Sequence, residues 1–373
     1  TATAFMLAAC SNNISSQTPA AAYEATPTAA PAPAQSLAAE PKVTEAPAAT
    51  PEPTPAATPE PAPAPAVTED MLTIMTSYTM YTYDQLAADA DTLVQLYPGL
   101  VTKDVIGKTA DGRDLIHFIA GNPQAEKQIF INGAIHGREY ITAQLVMKQL
   151  AVYLKHVASG DYYGETCYKD MWNNVAVHVV PMVNPDGASI SQLGLDAIRD
   201  PEVLAQVYSV AANDGSDLSV YYTDHWKANA SGVDLNRNFD AYWEYYEGTA
   251  LPSADHYKGE YPGSEPEAAA LIDLTLNNNF LYTISYHAQG SLIYWCFDNM
   301  EPIYDISLDW VSQLSASTGY YLNSNYSSVD PAGYSDWGIY RCQIPSVTIE
   351  VAYGECPYLQ DQFGRIWQEN LSV

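Results

Sequence analysis

Short apolar runs alternate with amphipathic stretches from about Thr68 to the C-terminus. Such runs, rich in β-branched and aromatic residues and bounded by polar residues, predict β-strands. Those that are apolar throughout predict strands covered on both faces. The runs span residues 115–120, 129–132, 175–183, 281–286, 292–296 and 346–351. Strands that alternate with helices predict an α/β fold, and one domain is sufficient.

Three stretches between the predicted strands carry helix signals. An apolar face directly after residues 132–140 predicts a long helix. This face consists of Ile141, Leu145, Val146, Leu150 and Leu154. The run Ser264-Glu-Pro-Glu267 has the pattern of a capping box with proline in the first turn, so a helix is expected over 268–276. Residues 196–230, rich in Asp, Asn, Ser and Tyr, predict long loops with one short helix near 201–207.

The N-terminal part of the chain differs sharply in composition from the rest. Residues 17–66 are almost entirely Ala, Pro, Thr and Glu. Such a stretch buries too little apolar surface to offset chain entropy, and proline keeps it extended. We therefore expect a disordered Pro/Ala-rich linker over 11–67, in preference to a small Pro-rich domain. The folded domain is expected over 68–373.

The first ten residues end in a pattern typical of exported proteins. The run Leu7-Ala-Ala-Cys10 follows an apolar stretch and resembles the lipobox of bacterial lipoproteins, so residues 1–10 are interpreted as the end of a signal peptide. The resemblance implies that Cys10 carries the lipid, and a chance cysteine is the alternative. We expect an extracytoplasmic protein, anchored to the bacterial membrane by lipid without spanning it, or secreted if the anchor is absent.

The chain is strongly acidic. It has 15 Lys and Arg against 44 Asp and Glu, and a formal net charge of −29. This balance argues against nucleic acid or an anionic membrane surface as a partner. It mildly favours cationic or zwitterionic substrates. We expect a monomer whose membrane contact is made only through its lipid anchor.

Four cysteines follow Cys10, and an exported location permits disulfides between them. They are Cys167, Cys296, Cys342 and Cys356. The sequence contains no CxxC pair, which argues against a structural zinc site or a redox motif. Cys296 and Cys342 each flank a predicted strand and are the preferred disulfide pair.

Four polar residues near the ends of predicted strands are candidates for one site. His136 and Glu139 follow one strand, His287 follows another, and Glu350 lies in the last. The His136–Glu139 pair alone would favour a structural contact. However, side chains at the carboxyl ends of sheet strands can converge on a ligand, and a helical turn brings residues three apart together. Two imidazoles and one carboxylate suffice for a catalytic zinc, and Glu350 would be the general base for its water.

Five further histidines compete for a role as ligands. His117 and His178 lie within predicted strands and His156 ends a helix, so all three are interpreted as structural. His225 and His256 lie in predicted loops and remain possible ligands.

Six motifs occur in order from about Tyr78 to the C-terminus. They are His136-Gly-Arg-Glu139, Asn184-Pro-Asp-Gly187, Gly232-Val-Asp-Leu-Asn-Arg-Asn238, His287, Gly333-Tyr-Ser-Asp-Trp337 and Thr348-Ile-Glu350. Together they resemble the zinc carboxypeptidases of the carboxypeptidase A type, closest to the bacterial branch that includes peptidoglycan-directed peptidases. The resemblance implies a mixed central sheet with helices on both faces, one Zn²⁺, and hydrolysis of C-terminal peptide bonds.

The resemblance also assigns roles on the metal side of the site. It implies that His136, Glu139 and His287 bind zinc and that Glu350 is the general base. Asp234 would accept the outer N–H of His136 and fix its tautomer, as metal-bound histidines usually require.

On the substrate side, the resemblance implies that Asn236 and Arg237 hold the terminal carboxylate of the substrate. Arginine suits that role because its planar fork binds a carboxylate with two hydrogen bonds. Arg138 matches a further arginine that contacts substrate.

The sequence departs from the family pattern at three positions. Lys227 stands where an arginine often stabilises the oxyanion, so either Lys227 serves, or it points to solvent and Arg138 serves instead. Ser328 stands where a tyrosine usually covers the substrate, and Tyr326 is assigned that role. Ser335 lies at the base of the specificity pocket, and its small polar side chain indicates neither an apolar nor a basic preference.

These residues indicate a peptidase with a zinc-activated water and a glutamate base. Peptidoglycan stem peptides are one expected substrate, and general peptide scavenging is the alternative. A non-catalytic zinc-binding lipoprotein and a hydrolase of other amides or esters, such as acylated amino acids, are further hypotheses.

Overall fold

The computed structural model describes residues 67–76, 80–324 and 330–373, which fall within one compact unit, Ala64–Val373. Cys10, the signal residues and nearly all of the linker over 11–67 lie outside the described residues, and so does Tyr326. Their assignments remain predictions. Within the described ranges, no helix has both the length and the apolar character needed to cross a membrane.

The described residues form short strands and helices that alternate along the chain. The strands are β1 (Val101–Lys108), β2 (Asp114–Gly121), β3 (Lys127–Gly133), β4 (Tyr162–Tyr163), β5 (Thr166–Cys167), β6 (Val175–Val180), β7 (Phe280–Ala288), β8 (Leu292–Tyr294), β9 (Tyr321–Asn323) and β10 (Ser346–Val351). The helices are α1 (Thr73–Thr76), α2 (Tyr83–Leu96), α3 (Ile141–Ser159), α4 (Tyr168–Asn174), α5 (Pro185–Leu193), α6 (Pro201–Asn213), α7 (Val220–Asp224), α8 (Pro266–Leu276), α9 (Tyr304–Thr318), α10 (Tyr334–Tyr340) and α11 (Phe363–Glu369).

One mixed sheet organises the described part of the chain. It has 8 strands in the order β1-β2-β6-β3-β7-β10-β8-β9. Its centre is parallel, because β3 pairs with β6 and β7, and β10 pairs with β7 in the same direction. Towards the edges, β1–β2, β2–β6 and β8–β10 are antiparallel, whereas the edge pair β8–β9 is parallel. The predicted α/β fold with a mixed central sheet is confirmed.

Two consecutive residues of β3 show that helices cover both faces of the sheet. Ile131 and Val146 of α3 line one apolar cavity. The neighbouring Phe130 instead contacts Tyr334 of α10, with ring centroids 5.7 Å apart. Because successive side chains of a strand point to opposite faces, α3 and α10 lie on opposite sides of the sheet.

Helix α3 confirms the helix predicted from its apolar periodicity. Its apolar face is buried, and Leu145 and Leu154 have no exposed surface. The helix ends at Gly160, whose φ of 70° is the left-handed conformation common after a helix. The backbone N–H of Gly160 bonds to His156 and Val157 carbonyls, which satisfies the last turn.

The short helix predicted near 201–207 is present as α6. The prediction that the rest of 196–230 forms long loops is wrong, because α6 continues to Asn213 and α7 lies in the same segment. Helix α6 begins where the Asp200 carboxylate accepts the N–H of Glu202, at 2.8 Å, with proline in the first turn. Val203 and Val207 are buried in a small separate apolar cluster around Trp226. The apolar residues follow helical spacing, but the surrounding polar residues concealed it.

The capping box predicted at Ser264 is also wrong. Helix α8 has Glu265 as its N-cap residue, without a capping bond from the side chain. The Ser264 hydroxyl donates to the Glu265 carboxylate at 2.9 Å, and Glu267 accepts from Asn229 at 3.3 Å. The neighbouring Glu265 and the distant Asn229 therefore take the groups that a capping box would use.

Sequence reasoning also misjudged the sheet edges and the cysteines. Strand β6 ends at Val180, ahead of Pro181, which lacks the N–H needed to continue the ladder. Strands β1 and β9 lie at the edges of the sheet and were not predicted, because β1 is rich in polar residues and β9 has only 3 residues. The preferred disulfide is wrong. The four cysteines of the described residues, Cys167, Cys296, Cys342 and Cys356, are all free thiols.

Candidate active site

Three parallel strands bring the candidate residues to one edge of the sheet. His136 follows the end of β3, whereas His287 lies near the end of β7 and Glu350 near the end of β10. Glu350 pairs directly with His287, and Gly133 pairs with Tyr286. The carboxyl ends of parallel strands share one edge, so residues separated widely in sequence become neighbours.

The structure brings His136, Glu139 and His287 into one buried group. Their candidate ligand atoms all lie within 4.8 Å of one another. The Nδ1 atom of His136 is 2.7 Å from Glu139 Oε1, and Nδ1 of His287 is 3.1 Å from Oε2. The N–H of Ala288 donates to the same Oε2 atom at 3.1 Å, which fixes the carboxylate.

A tight turn after β3 sets the spacing of the first two residues. Gly137–Glu139 form a single 3₁₀ turn, and the N–H of Glu139 bonds to the carbonyl of His136 at 3.1 Å. A side chain at Gly137 has no space, since a Cβ atom there would lie 2.6 Å from the carbonyl oxygen of Gly187 and 2.8 Å from that of Trp226. The glycine therefore lets the turn pack against two other segments.

The donor set fits a divalent metal. Burial alone would raise the pKa of Glu139, but the charges and hydrogen bonds of His136 and His287 lower it overall. The group thus combines a buried carboxylate held in its charged form with two imidazoles whose Nδ1 atoms face it. Two imidazoles and one carboxylate form a known ligand set for catalytic zinc, which keeps a position open for water.

Asp234 lies behind the first imidazole, as the sequence predicts. Its Oδ1 atom is 3.2 Å from Nε2 of His136, and the residue has no exposed surface. Because Nε2 faces Asp234, Nδ1 is left for a metal, which is the usual arrangement of a metal-bound histidine. The carboxylate also accepts the N–H of Asn236 at 3.1 Å, so it starts the next turn of the chain.

Lys227 does not point to solvent, so that alternative is wrong. Its ammonium lies 3.0 Å from Asp234 Oδ2 and 3.0 Å from Asp255 Oδ1. Burial lowers the pKa of Lys227, but these two carboxylates raise it more, so the side chain is charged. Asp234, Asp255 and His256 form a second cluster of possible ligands, but the Lys227 ammonium already lies between its two carboxylates.

Arg138 also contacts Asp255, through the carboxylate oxygen that Lys227 does not contact. Its Nη2 atom is 3.6 Å from Asp255 Oδ2, and its Nη1 atom donates to the carbonyl of His225 at 3.4 Å. Both candidate oxyanion donors therefore share Asp255, a residue that the sequence analysis did not select. No sequence signal marked it, because Asp255 lies in a loop outside the recognised motifs.

The predicted carboxylate clamp lies on a short turn that begins at Asp234. The Asn236 side-chain oxygen accepts the N–H of Tyr334 at 3.0 Å, which ties this turn to α10. The Arg237 guanidinium is almost buried and lies 5.2 Å from the centre of the Tyr246 ring. Its Nη2 atom is 2.5 Å from the carboxylate of Asp330.

Glu350 lies beside the metal group but has no ion-pair partner among the described residues. Burial raises its pKa to about 8, and the charge of Glu139 adds to the rise, whereas His287, Lys227 and Arg237 oppose it. A carboxyl with a pKa near neutrality can both accept and donate a proton at physiological pH, as a general base must. A metal ion bound nearby would lower this value.

Ser335, which the resemblance assigns to the base of the specificity pocket, is buried. The hydroxyl of Thr348 donates to its oxygen at 3.0 Å. Its hydrogen-bond partner is thus polar and uncharged, and its role at the pocket base stays a prediction. Tyr326 lies outside the described residues, so its role as a cover for the substrate stays a prediction.

The other histidines lie outside the metal group. His117 and His178 bond to each other at 3.0 Å, and His156 contacts Asp161, as structural roles require. His225 bonds instead to the Tyr221 carbonyl and contacts Glu355. His256 bonds to the Tyr246 hydroxyl at 3.0 Å.

Two residues of the motif over 184–187 have structural roles that the sequence did not reveal. The Asn184 amide donates to the carbonyls of Ile135 and Ala228, at 3.2 Å and 3.0 Å. Asp186 accepts from Arg113 and from the hydroxyl of Thr109, at 2.8 Å each. The motif therefore joins the turn that carries His136 to the segment that carries Lys227.

Comparisons with known proteins agree with this geometry. The family model described as zinc carboxypeptidase matches residues 86–372. Gamma-D-glutamyl-L-diamino acid endopeptidase 1 of Lysinibacillus sphaericus is 32% identical over 295 residues, which cover 79% of this chain and 71% of that protein. Carboxypeptidase B of Astacus astacus is 28% identical over 276 residues, covering 70% of this chain and 82% of the relative.

Solved structures show the same fold at low sequence identity. The carboxypeptidase A of Helicoverpa armigera gives a TM-score of 0.58 at 22% identity, and covers 79% of this chain and 73% of its own. Thrombin activatable fibrinolysis inhibitor gives a TM-score of 0.62 at 18% identity, with 83% of this chain and 74% of that chain covered.

Proposed function

This chain belongs to the zinc carboxypeptidase family, and we propose that it is an extracytoplasmic, lipid-anchored metallopeptidase acting on peptidoglycan stem peptides. The metallopeptidase activity follows from the family. The stem-peptide substrate is supported by the relative that is 32% identical, whose name specifies a bond between D-glutamate and a diamino acid. The location is supported only by the lipobox-like run that ends at Cys10.

The observation that carries the proposal is the convergence of His136, Glu139, His287 and Glu350 at one sheet edge. His136, Glu139 and His287 would hold the zinc. When bound, zinc polarises the scissile carbonyl and lowers the pKa of its water from 15.7 to about 7.

The surrounding residues divide the remaining tasks. Glu350 accepts the proton of the attacking water and returns it to the leaving amine. Asp234 keeps the tautomer of His136, because its carboxylate faces the outer nitrogen. Lys227 and Arg138 supply positive charge close to the developing oxyanion. Arg237, nearly buried beside Tyr246, binds a substrate carboxylate.

The test compares two substrates with the zinc-loaded full-length protein. One is the stem tripeptide L-Ala-γ-D-Glu-meso-diaminopimelate, and the other is an ordinary α-linked peptide of similar length. We expect release of the diamino acid from the first. Chelation of the metal should abolish release, and added zinc should restore it.

A Glu350→Gln variant tests the general base in the same assay. We expect kcat to fall by about 10²–10⁴, with zinc content unchanged.

Release of residues only from the α-linked peptide would refute the stem-peptide substrate and favour general scavenging. A full zinc complement without hydrolysis of any peptide would favour a non-catalytic binding protein. The lipid anchor is tested by measuring how much protein is in the membrane fraction of cells that express a Cys10→Ala variant. We expect the variant to be lost from that fraction.

A further inference from the structure

Arg237 and Asp330 form an ion pair at the substrate side of the site, with 2.5 Å between Nη2 and Oδ1. The two partners differ strongly in exposure: the side chain of Arg237 is 8% exposed and that of Asp330 is 58% exposed. Inside the protein, Arg237 Nη1 donates to the carbonyl of Asn236 at 2.6 Å. The Asp330 carboxylate therefore takes the outward side of the guanidinium, where a substrate carboxylate would bind.

The charge of Asp330 acts on several other groups around the cleft. Burial raises the pKa of Tyr294, and the negative charges of Glu350 and Asp330 add to the rise. Burial also raises the pKa of Asp336 to about 6, with a further contribution from Asp330. Asp330 therefore contacts Arg237 directly and lies close enough to act on Tyr294 and Asp336 as well.

Ser335, the residue predicted for the pocket base, carries no charge that could compete with this aspartate. Ser335 is neutral and its oxygen accepts a hydrogen bond from Thr348 at 3.0 Å. The nearby Asp336 carboxylate accepts the N–H of Gly333 at 2.9 Å and is engaged by its own helix. Among these groups, Asp330 is the exposed carboxylate available to a substrate.

A substrate carboxylate that binds Arg237 must displace Asp330. Two carboxylates cannot share one guanidinium edge without like-charge repulsion, so the displaced aspartate needs another cation. A leaving residue with a side-chain ammonium supplies that cation, and one ion pair is exchanged for two. A leaving residue without an ammonium leaves the Asp330 charge unpaired beside the substrate carboxylate.

Building on the proposed function, we propose that Asp330 determines specificity by binding the side-chain ammonium of the leaving diamino acid, whose carboxylate Arg237 binds. The negative charge that selects a cationic side chain would then lie at the mouth of the pocket and not at its base. This arrangement also explains why a site with a neutral base can select a diamino acid.

The experiment measures kcat/KM for two substrates that differ only in the ammonium, γ-D-Glu-L-Lys and γ-D-Glu-L-norleucine. Zinc-loaded full-length wild type and an Asp330→Asn variant are compared. Wild type should prefer the lysine substrate by about tenfold or more, as expected when one charge pair is gained. The variant should lose about tenfold on the lysine substrate, mainly through KM, and should lose nothing on norleucine.

A matched control is Asp84→Asn, which removes an aspartate from another exposed ion pair, with Arg199 at 3.0 Å. This variant should keep the wild-type ratio between the two substrates. Equal gains on both substrates in Asp330→Asn would mean that Asp330 only blocks Arg237, and unchanged values would mean that it has no role. Either outcome overturns the inference. Failure of wild type to cleave any substrate would instead overturn the proposed function, and the inference with it.

Discussion

At the scale of single residues, two acidic side chains organise the charges around the metal group. Asp234 contacts both His136 and Lys227, at 3.2 Å and 3.0 Å. Asp255 contacts Lys227 at 3.0 Å and Arg138 at 3.6 Å. The sequence identified the cations and the Asp234–His136 contact, but it identified neither Asp255 nor the contact of Lys227 with Asp234. Ion pairing in a loop depends on distances that the sequence does not record. Lys227 is therefore both a candidate for oxyanion stabilisation and a counter-ion for a fully buried carboxylate.

Replacement of Lys227 should reveal this second role. Lys227→Met leaves Asp234 buried without its cation, and we expect a loss of about 3–5 kcal/mol in the free energy of unfolding. Lys227→Arg keeps the charge and should lose much less. The measurement is urea denaturation of the zinc-loaded proteins. Lys155→Met, which breaks an exposed ion pair with Glu69, should cost less than about 1 kcal/mol. Equal losses in all three variants would refute the structural role of Lys227.

At the scale of elements, the turn that carries His136 and Glu139 depends on close backbone packing. The N–H of Gly137 bonds to the carbonyl of Lys227 at 2.9 Å, and the amide of Asn184 spans the same segments. The metal ligands are therefore held by contacts between loop backbones as well as by the ends of strands. Gly137 is part of the recognised motif. The reason that a glycine is needed there appears only in the structure, where the segments around Gly187 and Trp226 pack against this turn.

A side chain at Gly137 should therefore disturb the metal group. In Gly137→Ala, the new Cβ atom would lie 2.6 Å from the Gly187 carbonyl oxygen, so the turn must shift. We expect a loss of about 1–3 kcal/mol in the free energy of unfolding and weaker zinc binding. Thermal unfolding and competition with a chelating dye measure the two effects.

The matched control is Gly364→Ala, in α11, where a Cβ atom meets nothing within 4 Å. There we expect a gain of about 0.4–1 kcal/mol, because alanine restricts the unfolded chain, and unchanged zinc affinity. If Gly137→Ala bound zinc as tightly as wild type, close packing would not be what positions the ligands.

At the scale of the whole molecule, acidic groups enclosed by the fold make the stability dependent on pH. Glu267 has no exposed surface, and its carboxylate accepts a hydrogen bond from Asn229 at 3.3 Å. Burial raises its pKa to about 8, and the negative charges of Asp186 and Glu265 add to the rise. At neutral pH the folded protein therefore holds a proton on Glu267 that the unfolded chain has released.

The free energy of unfolding should fall as pH rises. The unfolded carboxyl titrates near pH 4.5 and the folded one near 8, so the stability is fully present below the lower value. It is lost across this window by at most about 1.4 kcal/mol per pH unit. Glu267→Gln carries no titrating proton and should reduce the slope between pH 6.5 and 8. The measurement is urea denaturation at several pH values.

The control for this experiment is Asp273→Asn, which removes an exposed acid from the same helix. In the unfolded chain it removes one negative charge, as Glu267→Gln does, and it should leave the slope close to that of wild type. A slope that persists in Glu267→Gln would show that other groups cause it.

The sequence by itself determined the strand and helix periodicity of the core and the candidate ligands His136, Glu139 and His287. These features depend on local chemistry: apolar spacing follows the geometry of one element, and metal-binding side chains are few and distinctive. The same reasoning predicted only the first part of α6, near 201–207, and missed the edge strand β1, in which polar residues outnumber apolar ones.

Only the tertiary structure decided which charges meet. It placed Lys227 between two carboxylates, Asp330 against Arg237, and backbone against backbone at Gly137. These contacts join segments that are far apart in the chain, and the energy of each depends on distance and burial. Neither distance nor burial can be read from a single position. These contacts form only when the sheet brings its strand ends and loops together.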